Sequence, residues 1–151
     1  MNLKDLKKEI PYKWRVQSFS KNKPNASCVA YIDARDVMDL LDEVVGENNW
    51  QDDYKLVDGK LLAGIGIKSE NQWIWKWDTG TESDVEGEKG QMSDAFKRAA
   101  VKWGVGRFLY GLEVKYVVTD GPKSDSHKYP KVIDSNGKTV FDITKHIKNL
   151  R

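Results

Sequence analysis

The sequence predicts an α+β fold: an antiparallel β-sheet with a β-β-β-α core, packed against one long helix and joined by short accessory helices. Three observations predict it. Asp58-Gly59 separates two strand-like runs at 50–57 and 60–68, a strong short-range hairpin signal. A second tight turn around Glu70-Asn71 leads into a third run at 72–78. Apolar residues then recur at helical spacing from 91 to about 110. Hairpins and helices follow one another without regular βαβ alternation, which favours an antiparallel sheet.

The remaining elements follow in order. Residues 3–9 read as a short amphipathic helix ended by Pro11, and 12–19 alternates as a strand. Turn chemistry at 21–25 precedes a second strand at 28–32. Asp33 is a suitable N-cap for a helix in which Val37, Leu40, Leu41, Val44 and Val45 share a face, and Gly46 stops it. Residues 79–90 are acidic and glycine-bearing and read as a loop. A strand at 112–118, a lysine-rich segment at 120–131, a hairpin at Asn136-Gly137 and a short helix at 143–150 complete the chain. With 151 residues, one domain over 1–151 suffices, its core spanning about 10–112 and its C-terminal strand, hairpin and helix 113–151.

Composition sets the class. A chain that is 39% hydrophobic and 32% charged can bury a core and remain well hydrated. No apolar run approaches the ~20 residues needed to cross a bilayer, and the first residues lack the apolar core of a signal peptide. The one cysteine, Cys28, allows no internal disulfide, which fits a reducing cytoplasm. Charge is distributed unevenly. Residues 1–90 carry 13 Lys and Arg against 17 Asp and Glu, whereas 91–151 carry 12 against 6. Such asymmetry suggests a basic surface that faces a polyanion.

The helix at 91–110 is the best candidate for that surface. Met92, Phe96, Ala99, Ala100, Trp103 and Tyr110 form its apolar stripe. Lys97, Arg98 and Lys102 fall on the neighbouring arc, with Arg98 and Lys102 one turn apart, so they can follow successive phosphates. Solvated surface lysines are the bland alternative. Arg107 falls near the apolar stripe, where a guanidinium needs a partner or a ligand, and Gly104 and Gly106 can redirect it.

The strand at 72–78 places Trp73, Trp75 and Trp77 on one face and Ile74 and Lys76 on the other. The expectation is that the tryptophans form core beneath the basic helix, and the alternative is that they stack on bases. Lys76 is then expected to point the other way, into solvent or a groove. The lysines at 115, 123, 128 and 131 are a further, weaker phosphate track, with an exposed loop as the alternative.

Catalytic readings fare worse. Glu82, Asp84, Glu86 and Glu88, beside Lys89, could be taken for a nuclease metal site, and Asp33 with Asp36 for a second carboxylate pair. The first run alternates with Ser83, Val85 and Gly87, as a solvated charge run does. His127 and His146 are far from ligand spacing, no Gly-rich phosphate loop follows a strand, and no Ser or Cys nucleophile has a recognisable setting. No catalytic residue, metal site or cofactor is expected.

One segment is specific enough to suggest a family. Residues 93–110, Ser-Asp-Ala-Phe-Lys-Arg-Ala-Ala-Val-Lys-Trp-Gly-Val-Gly-Arg-Phe-Leu-Tyr, closely resemble the signature helix of the single-strand annealing superfamily of the Rad52 and DdrA type. The block Val29-Ala30-Tyr31-Ile32-Asp33-Ala34-Arg35-Asp36-Val37, continuing to Gly46 and Trp50, resembles its strand-to-helix segment. The likeness covers roughly 10–112. It implies a β-β-β-α core that assembles into rings or helical filaments and holds single-stranded DNA by its backbone, leaving the bases free to find a complement without nucleotide or metal. The family's basic pair matches Lys97 and Arg98. Lys102 lies one residue past a position where eukaryotic members carry arginine and this chain has Val101. Arg35 is present, but Asp36 stands where a basic residue is expected.

The candidate DNA-binding set is therefore Lys97, Arg98, Lys102, Arg107, Arg35, Lys76 and Lys89. The expected partners are single-stranded DNA and further copies of the chain, with a single-strand-binding protein or an exonuclease as additional ones. The short length resembles phage annealing proteins and omits the long tail by which eukaryotic members bind recombinase. The expected function is ATP-independent annealing of complementary strands in recombination and repair, in the cytoplasm. The rival functions are single-strand protection without annealing and metal-dependent cleavage.

Overall fold

Local turn chemistry decides which side chains this fold brings together. The computed structural model describes residues 2–80 and 87–150, with side chains from Gly90 onward in the second stretch. In chain order, a 3-10 helix at Leu3–Lys7 precedes β1 (Lys13–Phe19), β2 (Asn25–Tyr31) and α1 (Ala34–Val45). Strands β3 (Trp50–Val57), β4 (Lys60–Ser69) and β5 (Gln72–Thr79) come next. Helix α2 (Gly87–Trp103), a 3-10 helix at Arg107–Gly111, β6 (Lys115–Val118) and α3 (Ile143–Asn149) complete the order. The α+β class and the β-β-β-α core are as expected. The strands form two antiparallel three-stranded sheets, β1-β2-β6 and β3-β4-β5. The chain divides into two units, Met1–Ile10 with Ile32–Tyr110, and Pro11–Tyr31 with Gly111–Arg151.

In the first unit, Asp33 caps α1 by accepting from the Asp36 backbone N–H at 3.0 Å, while the Asp36 carboxylate accepts from the Asp33 N–H at 2.9 Å. This reciprocal box satisfies two backbone donors that the first turn leaves free. Val37, Leu40, Leu41 and Val45 are buried on the stripe that the spacing predicted.

Both hairpins of the β3-β4-β5 sheet turn through two residues with positive φ, Asp58 (52°) with Gly59 (78°) and Glu70 (51°) with Asn71 (66°). Left-handed conformations at both central positions match the twist of the flanking strands. The second turn pairs Ser69 with Gln72, so Gly66 faces Trp75 and Gly64 faces Trp77. Along β4, Ala63, Ile65 and Ile67 occupy the opposite face and are fully buried. Helix α2 covers that face with Ala95, Phe96, Ala99, Ala100 and Trp103, all buried. The Trp103 indole N–H donates to the Ile65 carbonyl at 2.9 Å.

This register corrects one expectation. Trp73, Trp75 and Trp77 do not lie beneath the basic helix but on the other side of the sheet, where the glycines of β4 give their rings room. The isoleucines and alanines, not the tryptophans, are the residues that meet α2.

The long helix also has different limits. It starts at Gly87, inside the stretch read as loop, and ends at Trp103 rather than near Tyr110. Gly104 has φ of 108° and Gly106 of 81°, conformations that an α-helix cannot continue through.

In the second unit, α3 packs on β1, and Trp14, Ala26, Cys28, Val117, Val132 and Ile147 form the buried cluster. Burial pushes the Cys28 thiol pKa up. The Trp14 N–H donates to the Thr144 hydroxyl at 2.9 Å. The final strand is shorter than expected, and Asn136-Gly137 forms a tight turn in which Gly137 has φ of 77°. Among the described residues, no helix is long and apolar enough to cross a membrane.

Candidate nucleic-acid interface

The site builds from the open edge of β5. Among the described residues β5 pairs with β4 alone, so its other edge stands outside the strand ladder. Helix α2 runs beside that edge and sends side chains to it. Arg98 places Nε 3.7 Å from Asp78 Oδ1, with about half of the guanidinium side chain exposed. One turn on, Lys102 Nζ donates to the Trp77 carbonyl. From β5 itself, Lys76 Nζ donates to the Lys102 carbonyl at 3.3 Å and stands 4.3 Å from the Trp103 ring centroid. Lys76 thus leaves the sheet on the face opposite the tryptophans, as the alternation predicted.

Arg107 finds a partner within the chain. Its Nε donates to the Val101 carbonyl at 2.8 Å and its Nη2 to the Lys102 carbonyl at 2.9 Å. The guanidinium therefore caps the C-terminal end of α2, where the last carbonyls lack helical partners and the helix dipole is negative. The glycine bends at 104 and 106 make that return possible.

Lys76, Lys102 and Arg107 share one property. The partners named above are neutral carbonyl oxygens, which fix the position of each cation without cancelling its charge. Fixed cations in a row provide what a polyphosphate strand neutralises, and little further ordering is needed on binding. Lys97 is half-buried on α2, and no hydrogen bond or ion pair to the described residues holds its ammonium. Arg35 is exposed in the first turn of α1 and does not join the β5 edge. Glu88 and Lys89 fall within the first turn of α2, and their side chains lie outside the described residues, as do the acids at 82, 84 and 86.

Asp36 illustrates what the alignment of residue types missed. Standing where the resemblance leads one to expect a cation, it completes the α1 capping box. Its carboxylate and that of Asp33 each accept a backbone N–H, which accounts for two acids one turn apart without a metal. Among the described residues, no group of three or more His, Cys, Asp and Glu side chains comes together to hold a metal ion. Tyr54, on the α2 side of β3, has its pKa pushed up to about 12, first by burial and then by the neighbouring Asp52 carboxylate.

Sequence reasoning also missed Asp78 and Lys55. Lys55 Nζ lies 4.5 Å from the Trp77 ring centroid on the outward face of the sheet. The two-residue turns were a sufficient signal for that face, because they set which β3 and β4 residues stand opposite each tryptophan.

Comparison with known proteins then places the chain. Residues 2–61 and 54–128 match the Rad52/22 family of double-strand break repair proteins. The chain belongs to the Rad52/22 family. Two relatives within reach of sequence comparison are single-stranded DNA-binding proteins DdrA. That of Deinococcus deserti is 30% identical over 141 residues, covering 87% of this chain and 70% of the relative. That of Deinococcus radiodurans is 29% identical over 140 residues, covering 87% of this chain and 65% of the relative. No solved structure matches the chain. The Rad52/22 match spans β1 to β6 and therefore includes Lys97, Arg98, Lys102, Arg107, Arg35, Lys76 and Lys89.

Proposed function

We propose that this Rad52/22 family member binds single-stranded DNA and promotes annealing of complementary strands in recombination and double-strand break repair. The observation that carries the reading is the row of cations at the α2–β5 edge, three of them held by neutral carbonyls and so left with their charge. Lys97, Arg98, Lys102 and Lys76 contact phosphates, Arg107 holds the end of the helix that presents them, and Arg35 and Lys89 extend the basic surface. Contacts to phosphate carry no sequence information, which suits a protein that must handle any pair of strands.

On this reading the protein supplies charge and geometry while base pairing supplies the driving force, so no ATP, metal or catalytic residue takes part. Copies of the chain assemble to hold strands longer than one subunit can span, in the cytoplasm where the DNA is. The named relatives bind single-stranded DNA, and both are longer than this chain. A single-strand-binding protein or an exonuclease is a further partner, one not required for annealing itself.

The test is the pairing rate of two complementary oligonucleotides, with and without protein, in chelator and without nucleotide. Annealing is expected to be faster with protein. A slower rate would indicate a coating protein that protects strands. Degradation that appears on adding magnesium would instead reveal a nuclease.

A further inference from the structure

The tryptophans on the outward face of the β3-β4-β5 sheet have no place in phosphate binding, yet their arrangement is unusually ordered. Trp75 and Trp77 stack with centroids 5.6 Å apart and planes inclined by 23°. Each ring lies flat over a glycine of the adjacent strand. A Cβ at Gly64 would come within 2.6 Å of the Trp77 ring, and one at Gly66 within 2.6 Å of the Trp75 ring. Glycine at both positions is thus a condition for the rings to lie down on the sheet. Trp73 continues the row and is 40% exposed.

Among the strand residues of this face the charge is mainly positive. The strand register puts Lys55, Lys60 and Lys68 on this face against Asp53. Lys55 Nζ sits 4.5 Å from the Trp77 ring centroid and Lys68 stands opposite Trp73. A planar aromatic row edged with lysines complements a ligand that is both flat and anionic. A two-fold contact of this face with the same face of a second copy would set lysines against lysines, and a head-to-tail contact with a second copy is told apart by the assembly mass in the test.

We infer that this face is a stacking platform for the bases of single-stranded nucleic acid, on the side of the sheet opposite the phosphate-binding α2 edge. The inference rests on the single-strand-binding reading above and adds base contact to it. Stacking on tryptophan tolerates any base, because every base has a π face. The glycine floor fixes the Trp75 and Trp77 rings before binding, so little side-chain freedom is lost.

The test compares the full chain with its Trp73→Ala and Trp73→Phe variants on two ligands of equal length, oligodeoxythymidine and an abasic oligonucleotide. Binding is read by anisotropy and assembly mass by light scattering. Wild type should prefer oligodeoxythymidine. Trp73→Ala should lose on the order of tenfold in affinity for it and almost nothing for the abasic strand. Trp73→Phe should keep most of the preference. Equal wild-type binding of both ligands would overturn the stacking platform while leaving single-strand binding intact. So would a Trp73→Ala variant that binds oligodeoxythymidine normally, weakens on both ligands alike, or changes mass with unaltered DNA binding, the last pointing to a second copy as the occupant. Failure of wild type to bind either strand would sink the underlying reading as well.

Discussion

Arg98, within α2, and Arg107, just past its end, carry the same charge, yet their surroundings give them different work. Arg107 turns back to carbonyls 101 and 102 and serves the helix end. Arg98 meets a carboxylate, Asp78, loosely and with much of its surface in water. A half-exposed pair of this kind contributes at most ~1 kcal/mol and competes with any phosphate that approaches. Replacing the carboxylate should therefore help binding. Asp78→Asn is expected to raise affinity for single-stranded oligonucleotides at low salt by up to about fivefold, with the thermal midpoint little changed. Weaker binding by this variant would show that Asp78 positions Arg98 instead of competing for it. At this scale the sequence offers the cations as candidates but does not show their partners. Asp78 lies twenty residues before Arg98, and a pairing across two elements leaves no trace in local spacing. Asp36 likewise looked like a missing cation until the capping box gave it a role.

Among the elements, the β4–β5 hairpin does most to shape the site. Its two-residue turn sets Gly64 and Gly66 opposite Trp77 and Trp75, leaves the isoleucine face for α2 and brings Lys76 to the helix side. Gly66→Ala should lower stability by ~1–3 kcal/mol, the range for overpacking, because the new methyl would meet the Trp75 ring. Denaturant unfolding measures it, and an unchanged midpoint would mean that the ring moves aside freely. The hairpins, the capped helix and the centre of the α2 stripe (Phe96, Ala99, Ala100 and Trp103) were legible from the sequence, because each depends on residues close together along the chain, whereas Met92 and Tyr110, expected on that stripe, are exposed. The side of the sheet that meets α2 was misjudged. Three tryptophans suggest core by hydrophobicity alone, whereas the decisive residues were the small ones, Gly64 and Gly66 under the rings and Ala95, Ala99 and Ala100 against the isoleucines. The end of α2 was misplaced for a related reason, since an apolar stripe can continue past a glycine that the backbone cannot.

For the whole molecule, a nearly balanced net charge of +2 conceals a local concentration of cations. Binding to a polyanion depends on that local density, and its signature is salt dependence. The most direct measurement is a titration of a labelled single-stranded oligonucleotide at several salt concentrations, with wild type and the Lys97→Ala, Arg98→Ala double variant. If these side chains neutralise phosphates, the variant should bind far more weakly at low salt. The slope of log affinity against log salt should also become shallower by about 1.4, for two lost single-strand contacts. Both proteins should unfold at the same denaturant concentration. Wild-type affinity and an unchanged slope in the folded double variant would contradict the assignment of the α2 cations to the DNA backbone.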